Sequence, residues 1–452
     1  MNLKEQISSL QAENAGLRSE IKLLTEKVML LLKLQESQAI KKDSHNSHNP
    51  PSSDFSKPKR NKSLRKKTGR KSGGQPGHKG NTLKMVADPD EIVDLKSNYC
   101  KACGEDLKSL NHELVSRRQE VIIPPISPLY KEYRQYGCLC NCGHHQKATY
   151  PQGVNAPIQF GSSVIAMVSY FNVFQYVPYR RLKLLFKDIF NLSISEGSIE
   201  NLLNKAAEKS NPIYQTIFEK IQTANYIGSD ETGAKVNGEK WWIWVWQNVK
   251  NTFLKASDNR GFATVEQLFP NGLPNATIGS DRWAAQLKIA SKNKQLCFPH
   301  LQRDLIYLIE TEKTPWATQF KELLSKTLKL RHVAFQRNKA FQKKETQTQE
   351  LEQELNHLLA ITISKNTASK THTFQKSMIK HRNYLFPCLY DLDVPPDNNA
   401  SERAIRNIKV KQKISGQFKS GQHTFCVLRS IIDTLRKREL DVFFFLKQIM
   451  AN

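Results

Sequence analysis

Three acidic residues stand in contexts that could hold divalent metal ions. Asp230 and Asp281 each follow an apolar run, "NYIGS" and "NATIGS", and Glu402 opens a basic stretch, "ERAIRNIKVKQK". Carboxylates at the ends of neighbouring strands can share a pair of Mg²⁺ ions, and such a pair can activate a water or a 3′-hydroxyl at a phosphodiester. An acid at a strand end is more often a turn or cap residue, and spacing does not establish that these two strands are neighbours.

Basic residues follow the glutamate at helical spacing. If 402–413 is a helix, four residues share one of its faces: Glu402, Arg406, Lys409 and Lys413. They follow one another at steps of four, three and four residues. Arg403 is a further candidate for contact with DNA phosphates. A metal ligand followed by a stripe of phosphate-binding cations suits an enzyme that cuts DNA, although an ordinary solvated helix face has the same spacing.

The composition favours a polyanion as partner. Lys and Arg exceed Asp and Glu by 68 − 42 = 26, and the sequence pI is about 9.6. An excess of that size makes nucleic acid the first candidate. No segment resembles a signal peptide, and the best apolar run, over 164–177, is short and interrupted by polar residues. The sequence therefore predicts a cytosolic protein with no membrane span.

Five of the eight cysteines lie between positions 100 and 142. In a reducing compartment such crowding indicates a metal site rather than disulfides. The pairs in "CKAC" and "CLCNC" flank a stretch predicted to be β structure, "RQEVIIPPISPLYKEYRQYG", which is typical of a treble-clef or ribbon zinc site. The predicted ligands are Cys100, Cys103, Cys140 and Cys142, with Cys138 as an alternate and His144 and His145 as weaker ones.

A heptad seam occupies the predicted coiled coil over 1–40. Leu3, Leu10, Leu17, Leu24 and Leu31 form one row of positions, and Ile7, Asn14, Ile21 and Val28 form the other. Leucine at d with mostly β-branched residues at a favours a parallel dimer, and a single polar a position such as Asn14 fixes its register. The alternatives are antiparallel pairing, intramolecular pairing, or one amphipathic helix docked on its own chain.

The remaining segments predict a multidomain α+β protein of roughly two to four domains. A basic flexible linker over 41–95 precedes the zinc-binding module over 96–150. Residues 151–222 are predicted to be helical and helix–turn–helix-like, with Arg180 and Arg181 as phosphate contacts. A mixed sheet over 223–310, joined by 395–420, forms the predicted core, with a helical insertion over 311–394 and C-terminal helices over 421–452.

A series of short motifs runs along the chain in a fixed order. They are "NPPSSD" (49–54), "GGQPGHKG" (73–80), the cysteine pairs, "YPQGVNAPIQFG" (150–161), "YVPYRR" (176–181), "SISEGSI" (193–199), "DETG" (230–233), "SDRWAAQ" (280–286), "CFPHLQRDL" (297–305) and "DNNASERAIR" (397–406). Together they resemble the insertion sequence sixty-six family of bacterial DDE transposases over nearly the whole chain.

The resemblance implies an RNase H-like catalytic core whose acids are Asp230, Asp281 and Glu402. It implies Mg²⁺- or Mn²⁺-dependent cleavage of 3′-ends and their joining to target DNA, in a bacterial cytoplasmic protein associated with the nucleoid. The implied partners are double-stranded DNA, at the element's ends and at the target, and accessory proteins of the same element. Cys297 and His300 match a Cys-x-x-His that recurs in the family, and we expect them to pack or to support the site.

Glu231 is the competing acid beside Asp230. Adjacent residues on a strand point to opposite faces, so only one of the two can face the metals, and the resemblance favours Asp230. On the next predicted strand Trp242, Trp244 and Trp246 share one face, and we expect them to pack in the core beneath a helix rather than to stack on bases.

Two other functions are compatible with the same residues. The first is an RNase H-like nuclease that hydrolyses its substrate without joining ends. The second is a non-catalytic DNA-binding remnant of a transposase that keeps its zinc and coil modules. The presence of all three acids argues against a remnant.

Overall fold

The computed structural model describes residues 3–39, 46–47, 77–80 and 83–451. Most of the predicted linker, with the motif "NPPSSD" and part of "GGQPGHKG", lies outside the described residues. The N-terminal helix α1 spans Leu3–Ala39, and its side chains are described over 13–32. The seam positions Leu3, Ile7 and Leu10 therefore also lie outside the described side chains.

A five-stranded mixed sheet forms the centre of the molecule, as the sequence predicted. Its strands are β3 (Tyr226–Val236), β4 (Glu239–Gln247), β5 (Thr252–Ser257), β6 (Leu273–Ser280) and β7 (Ser291–Leu296). The order across the sheet is β5-β4-β3-β6-β7. The strands β3, β4 and β5 form an antiparallel meander, and β6 and β7 run parallel to β3.

The strand β3 is longer than the sequence indicated. Asp230 was expected at the end of a strand, but it lies inside β3, because pairing with β4 continues to Val236 and closes in a hairpin. The hairpin turn is Asn237–Gly238, and both residues have positive φ (47° and 85°), as a two-residue turn requires. The parallel partner β6 pairs only with the first residues of β3, so Asp230 lies where that partner ends.

The helix α13 (Gln422–Lys437) covers the outer edge of β5. The hydroxyl groups of Ser430 and Thr434 accept hydrogen bonds from the backbone N–H groups of Leu254 (2.9 Å) and Thr252 (3.1 Å). Edge strands otherwise present unpaired backbone groups, so this contact closes the sheet on that side. The helix α12 (Asn399–Ser415) packs on β3 and β4.

The predicted tryptophan row lies mostly in the core. Trp244 and Trp246 are completely buried and stack on each other with ring centroids 5.5 Å apart. Trp246 also contacts Phe269, which follows α5 (Phe262–Leu268). Trp242 is half-buried and has the Arg260 guanidinium 4.6 Å from its ring.

Helices precede the sheet along the chain, as predicted. They are α2 (Ser162–Ser169) with a π-helical turn (Tyr170–Phe174), α3 (Tyr179–Phe190) and α4 (Glu196–Gln222). The Ser195 hydroxyl accepts a hydrogen bond from the Ser198 N–H (3.0 Å) and so caps α4. The last helix is α14 (Val442–Ala451), and among the described helices none could span a membrane.

The segment between β7 and α12 has a hydrophobic cluster of its own. It contains α7 (Phe298–Glu312), α8 (Pro315–Gln336), α9 (Thr346–Ala360), α10 (Ser369–Lys380) and α11 (Pro387–Tyr390), whereas the short α6 (Ala284–Leu287) precedes β7. Their buried residues, among them Phe320, Leu355 and Met378, form a cluster separate from the one around the sheet. The predicted helical insertion falls on α8 to α11.

The region around the clustered cysteines has little regular structure. Its strands are β1 (Gly137–Leu139) and β2 (His145–Lys147), which pair as a short hairpin. The stretch over 118–137 is predicted to be β structure, but in the described structure its one strand residue is the last, Gly137, at the start of β1. Prolines at positions 124, 125 and 128 lack the N–H donor that a ladder needs, which gives the physical reason.

Candidate active site

The two aspartates occupy equivalent positions on neighbouring parallel strands. In the register of β3 and β6, Gly228 pairs with Gly279, and each aspartate lies two residues beyond its glycine. Paired residues of adjacent strands point to the same face, and the strands lie about 4.8 Å apart. The sheet therefore brings Asp230 and Asp281 to the same level and the same side.

Glu402 reaches the same place from a helix. It lies in the first turn of α12, which packs on β3 and β4. Burial, followed by the charges of Asp281, Glu231 and Glu402, raises the pKa of Asp230 well above its usual range. A buried carboxylate next to further acids is a donor set that fits a hard divalent cation such as Mg²⁺ or Mn²⁺. We call Asp230, Asp281 and Glu402 the carboxylate site.

Glu231, which strand alternation predicts to face away from Asp230, has hydrogen-bond partners of its own. Its carboxylate accepts hydrogen bonds from the Arg260 guanidinium (2.8 Å) and from the Gln286 side-chain amide (2.8 Å). Burial and the charge of Asp281 raise the pKa of Glu231 to about 7, while Arg260 opposes the increase. The guanidinium of Arg260 also lies 3.6 Å from the ring of Trp283. Glu231 is thus held by Arg260 and Gln286, two residues that no local sequence pattern marks as its partners.

The Cys-x-x-His pair lies beside Glu402. The strand β7 ends at Leu296, so Cys297 is the residue before α7 rather than part of a strand, and Pro299 suits the first turn of that helix. The His300 Nε2 atom lies 3.6 Å from Glu402 Oε1. Burial raises the pKa of the Cys297 thiol to about 12. Both residues therefore contact the site's surroundings, which agrees with the expectation that they pack or support it.

The predicted DNA-contacting residues lie on exposed surfaces. Arg403, Arg406, Lys409 and Lys413 are exposed on α12. The Lys409 ammonium donates a hydrogen bond to the Gly233 carbonyl (2.9 Å), which directs this residue towards β3. Arg180 and Arg181 are exposed in the first turn of α3. The Tyr176 hydroxyl, just before that helix, donates to the Asn407 side chain of α12 (2.9 Å), so the two basic surfaces are connected.

The clustered cysteines form two similar tight turns. The Gly104 N–H donates to the Cys100 carbonyl (2.9 Å), and the Gly143 N–H donates to the Cys140 carbonyl (2.8 Å). Both glycines have positive φ, which such turns require. The N–H group of Cys103 lowers the pKa of Cys100, and that of Cys142 lowers the pKa of Cys140.

The two turns do not form one four-ligand site in the described structure. Cys138 lies on β1, outside the turn that carries Cys140 and Cys142. Among the described residues, the group of three possible metal ligands within 4.8 Å of one another is Cys297, His300 and Glu402. In the described part of the chain, no three of the four predicted zinc ligands lie within 4.8 Å of one another. Thiolates on glycine-containing turns with donated N–H groups are nevertheless a donor set that suits zinc.

Comparison with known protein families identifies the chain. The model of the Transposase IS66 family matches residues 157–424, which is more than half of the sequence and includes all three residues of the carboxylate site. The chain belongs to this family. A second model, described as a family of unknown function (DUF6444), matches residues 2–84. No curated protein matches the chain.

Membership in the Transposase IS66 family establishes a transposition-related function on DNA. The matched range runs from just before α2 to the start of α13, so it includes the helices before the sheet, the whole sheet and the insertion. The clustered cysteines lie between the two matched ranges.

Proposed function

We propose that this transposase binds the ends of an insertion sequence, cleaves their 3′-ends and joins them to target DNA by two-metal phosphoryl transfer. The observation that carries the proposal is that Asp230 and Asp281 lie at equivalent positions of the neighbouring strands β3 and β6, while Glu402 lies in the first turn of α12, which packs on β3. The charges of Asp281 and Glu402 both raise the pKa of Asp230, so the three carboxylates share one electrostatic environment. We further propose that the core is RNase H-like, a proposal supported by the three-stranded meander followed by two parallel strands.

The acidic residues would bind metal ions, and the basic residues would bind DNA phosphates. Asp230, Asp281 and Glu402 would hold Mg²⁺ or Mn²⁺, which when bound supplies activation of the attacking oxygen and stabilisation of the leaving oxygen. The basic residues that follow Glu402 on α12 would bind phosphates on the same side, because Lys409 is directed towards β3 and Arg406 is exposed next to it. Arg180 and Arg181 would extend this contact along double-stranded DNA.

A strand-transfer assay tests the proposed reaction. The substrate is a precut oligonucleotide with the terminal inverted repeat from the DNA that flanks the gene, and the target is a supercoiled plasmid. Wild-type protein with Mg²⁺ should join the oligonucleotide 3′-end to the plasmid. Hydrolysis without joining would indicate a nuclease, and binding without either reaction would indicate a non-catalytic remnant.

We also propose that zinc joins the two cysteine turns. Cys100 and Cys103 would supply one pair of ligands, and Cys140 and Cys142 the other. The support is that each pair lies on a glycine-containing turn whose N–H groups favour the thiolate form. Because a structural zinc ion contributes folding free energy directly, it would hold together a region that has few other contacts.

We propose that α1 forms a parallel dimer with a second copy. The described seam residues are at least half exposed: Leu17 50%, Ile21 62%, Leu24 52%, Val28 53% and Leu31 64%. A continuous apolar stripe of this kind indicates a contact surface. Leu24→Glu should halve the mass measured by light scattering, whereas Lys22→Glu, on the outer side of the helix, should leave it unchanged. A wild-type protein that is already monomeric would contradict the dimer.

A further inference from the structure

We propose that Asn398 is a positioning residue for the carboxylate site and that the Cys297 thiol is its partner in this role. Asn398 is the residue before α12, and it is 1% exposed. With Cys297, Ser401 and Gln247 it forms a buried set of hydrogen-bonded groups, which we call the Asn398 network. The inference rests on the proposed function of Asp230, Asp281 and Glu402.

The Asn398 side chain is bound to the strand that carries Asp230. Its amide Nδ2 donates a hydrogen bond to the Ser229 carbonyl oxygen (2.8 Å). Ser229 directly precedes Asp230 in β3, so this bond connects the start of α12 to the backbone at the first aspartate.

The Asn398 backbone is bound to the segment that carries Asp281. Its N–H donates to the Cys297 Sγ atom (3.2 Å), and the Cys297 N–H donates to the Ser280 carbonyl (3.0 Å). Ser280 directly precedes Asp281. Cys297 thus connects Asn398 to the end of β6, through its thiol on one side and its backbone N–H on the other. The Phe298 N–H also donates to the Pro396 carbonyl (2.9 Å).

Asn398 is also bound to the first turn of α12. The Ser401 hydroxyl donates to the Asn398 Oδ1 atom (2.6 Å), and the Gln247 amide donates to the Ser401 hydroxyl (3.3 Å). Ser401 directly precedes Glu402. Each residue of the carboxylate site therefore follows a residue that is connected to Asn398 directly or through Cys297.

Because Gly228 has no side chain, the side chains of the Asn398 network can pack directly against its Cα atom. A Cβ atom at this position would lie 2.4 Å from the Gln247 amide nitrogen, 2.8 Å from the Ser401 hydroxyl and 2.9 Å from Asn398 Oδ1. The network and the strand are thus in contact without spare volume. A change at Asn398 would be transmitted to the backbone beside the carboxylates rather than absorbed by a cavity.

The expected effect follows from the geometry that metal ligands need. Groups that orient metal ligands typically change metal affinity or activity about 10- to 100-fold when they are removed. Misplacement of reacting groups by about 1 Å can cost about 10²-fold in rate. Asn398 does not touch the reacting atoms, so its removal should act through the positions of all three acids.

The experiment compares Asn398→Ala with Asn172→Ala. Asn172 is equally buried (3% exposed), and its amide donates the same kind of bond to a carbonyl, that of Val177 (2.9 Å), away from the acids. Mn²⁺ binding is measured by calorimetry, and end cleavage is measured against Mg²⁺ concentration. Asn398→Ala should weaken Mn²⁺ binding and raise the half-saturating Mg²⁺ concentration, each by about 10-fold or more. Asn172→Ala should lower the melting temperature without moving either quantity.

Variants of Cys297 and Ser401 separate positioning from general destabilisation. Cys297→Ser keeps a hydrogen-bond acceptor for the Asn398 N–H and should stay within a few-fold of wild type, whereas Cys297→Ala should resemble Asn398→Ala. If Asn398→Ala does not fold, Ser401→Ala removes one bond of the same network, and its Mg²⁺ requirement should rise in the same direction.

The outcomes distinguish this inference from the proposed function. If Asp230→Ala does not weaken Mn²⁺ binding, the proposed metal site itself is wrong. If Asp230→Ala does weaken it but Asn398→Ala or Ser401→Ala matches Asn172→Ala, the carboxylate site stands and the role of Asn398 is overturned. Equal activity of Cys297→Ser and Cys297→Ala would remove the thiol from the network.

Discussion

The carboxylate site and the cysteine turns place their reactive groups by different physical means. Around the carboxylates, buried strands and a docked helix fix the backbone, and Asn398 and Ser401 are almost completely buried. Around the cysteines the described strands have three residues each, and apolar residues such as Val115 and Leu129 are 94% exposed. Packing therefore determines the geometry of the first site, whereas only local turns determine that of the second.

The difference shows where a metal ion would be needed for structure. In the sheet, burial of apolar side chains stabilises the fold whether or not the acids hold a metal. In the cysteine region, few side chains are buried, so cross-linking by zinc would supply most of the stabilisation. The two sites should consequently respond to mutation and to chelation in opposite ways.

The largest expected effect comes from removing a carboxylate. Asp230→Ala, Asp281→Ala and Glu402→Gln should each lower Mg²⁺-dependent end cleavage at least about 10³-fold, because metal-bound charge stabilisation supplies several kcal/mol. DNA binding in a gel-shift assay and the melting temperature should change little, because packing holds this region. Glu266→Gln, an exposed acid of α5, is the control. Full activity in any of the three variants would contradict the assignment.

The cysteine turns should show the reverse behaviour. Cys100→Ser should lower the zinc content by about one equivalent per chain and weaken end-specific DNA binding, while the core keeps its melting temperature. Elemental analysis measures the zinc content, and limited proteolysis measures the loosening of residues 83–150. Removal of zinc from the wild type with a chelator should produce the same changes. Separate substitutions of Cys138 and Cys140 identify which of the two binds zinc, because only substitution of the ligand should lower the zinc content. An unchanged zinc content in Cys100→Ser would reject the proposed ligand set.

A single added methyl group should distinguish tight from loose packing on one strand. Gly228→Ala would place its Cβ 2.4 Å from the Gln247 amide and displace α12, which should cost about 1–3 kcal/mol and reduce cleavage. Gly233→Ala, also on β3, has its nearest neighbour, Trp242, at 3.7 Å and should be tolerated. Denaturant unfolding of the two variants measures their free energies of unfolding. Equal stability would show that the packing beside the site is looser than described.

The last expected effect concerns Lys411, because burial in the packed region lowers the pKa of this residue to about 8. Below pH 8 both the folded and the unfolded protein carry this proton, so the folded protein bears the full cost of the buried charge. Between pH 8 and 10.5 the unfolded state binds more protons, so the free energy of unfolding should rise with pH by up to about 3 kcal/mol.

Lys411→Met should remove this pH dependence and stabilise the protein at pH 7 by about 1–3 kcal/mol. Chemical unfolding at several pH values measures both effects. Lys413→Met, an exposed residue on the same helix, should leave the stability curve unchanged. A Lys411→Met protein that keeps the wild-type slope between pH 8 and 10 would show that the ammonium is better solvated than its burial implies.

Several features followed from short windows of sequence. Strand alternation separates the side chains of the adjacent residues Asp230 and Glu231, and Glu231 has its own hydrogen-bond partners. The helical segments and the mixed sheet were recognisable from local periodicity, and the motifs identified the family. The extent of β3 was underestimated, because its second half owes its strand structure to pairing with β4.

Other features could not be predicted, because they depend on residues far apart in the chain. The equivalence of Asp230 and Asp281 comes from the pairing of Gly228 with Gly279, and Asn398 meets Ser229 only when α12 docks on β3. A stretch of ten residues shows the periodicity of a helix or a strand, but it does not show which distant segment that element will contact. The sequence by itself therefore determined which residue types could do chemistry and on which local element they lie. Only the tertiary structure decided that Asp230 and Asp281 lie on neighbouring strands and that the helix of Glu402 packs on β3, because long-range pairing and packing set these positions.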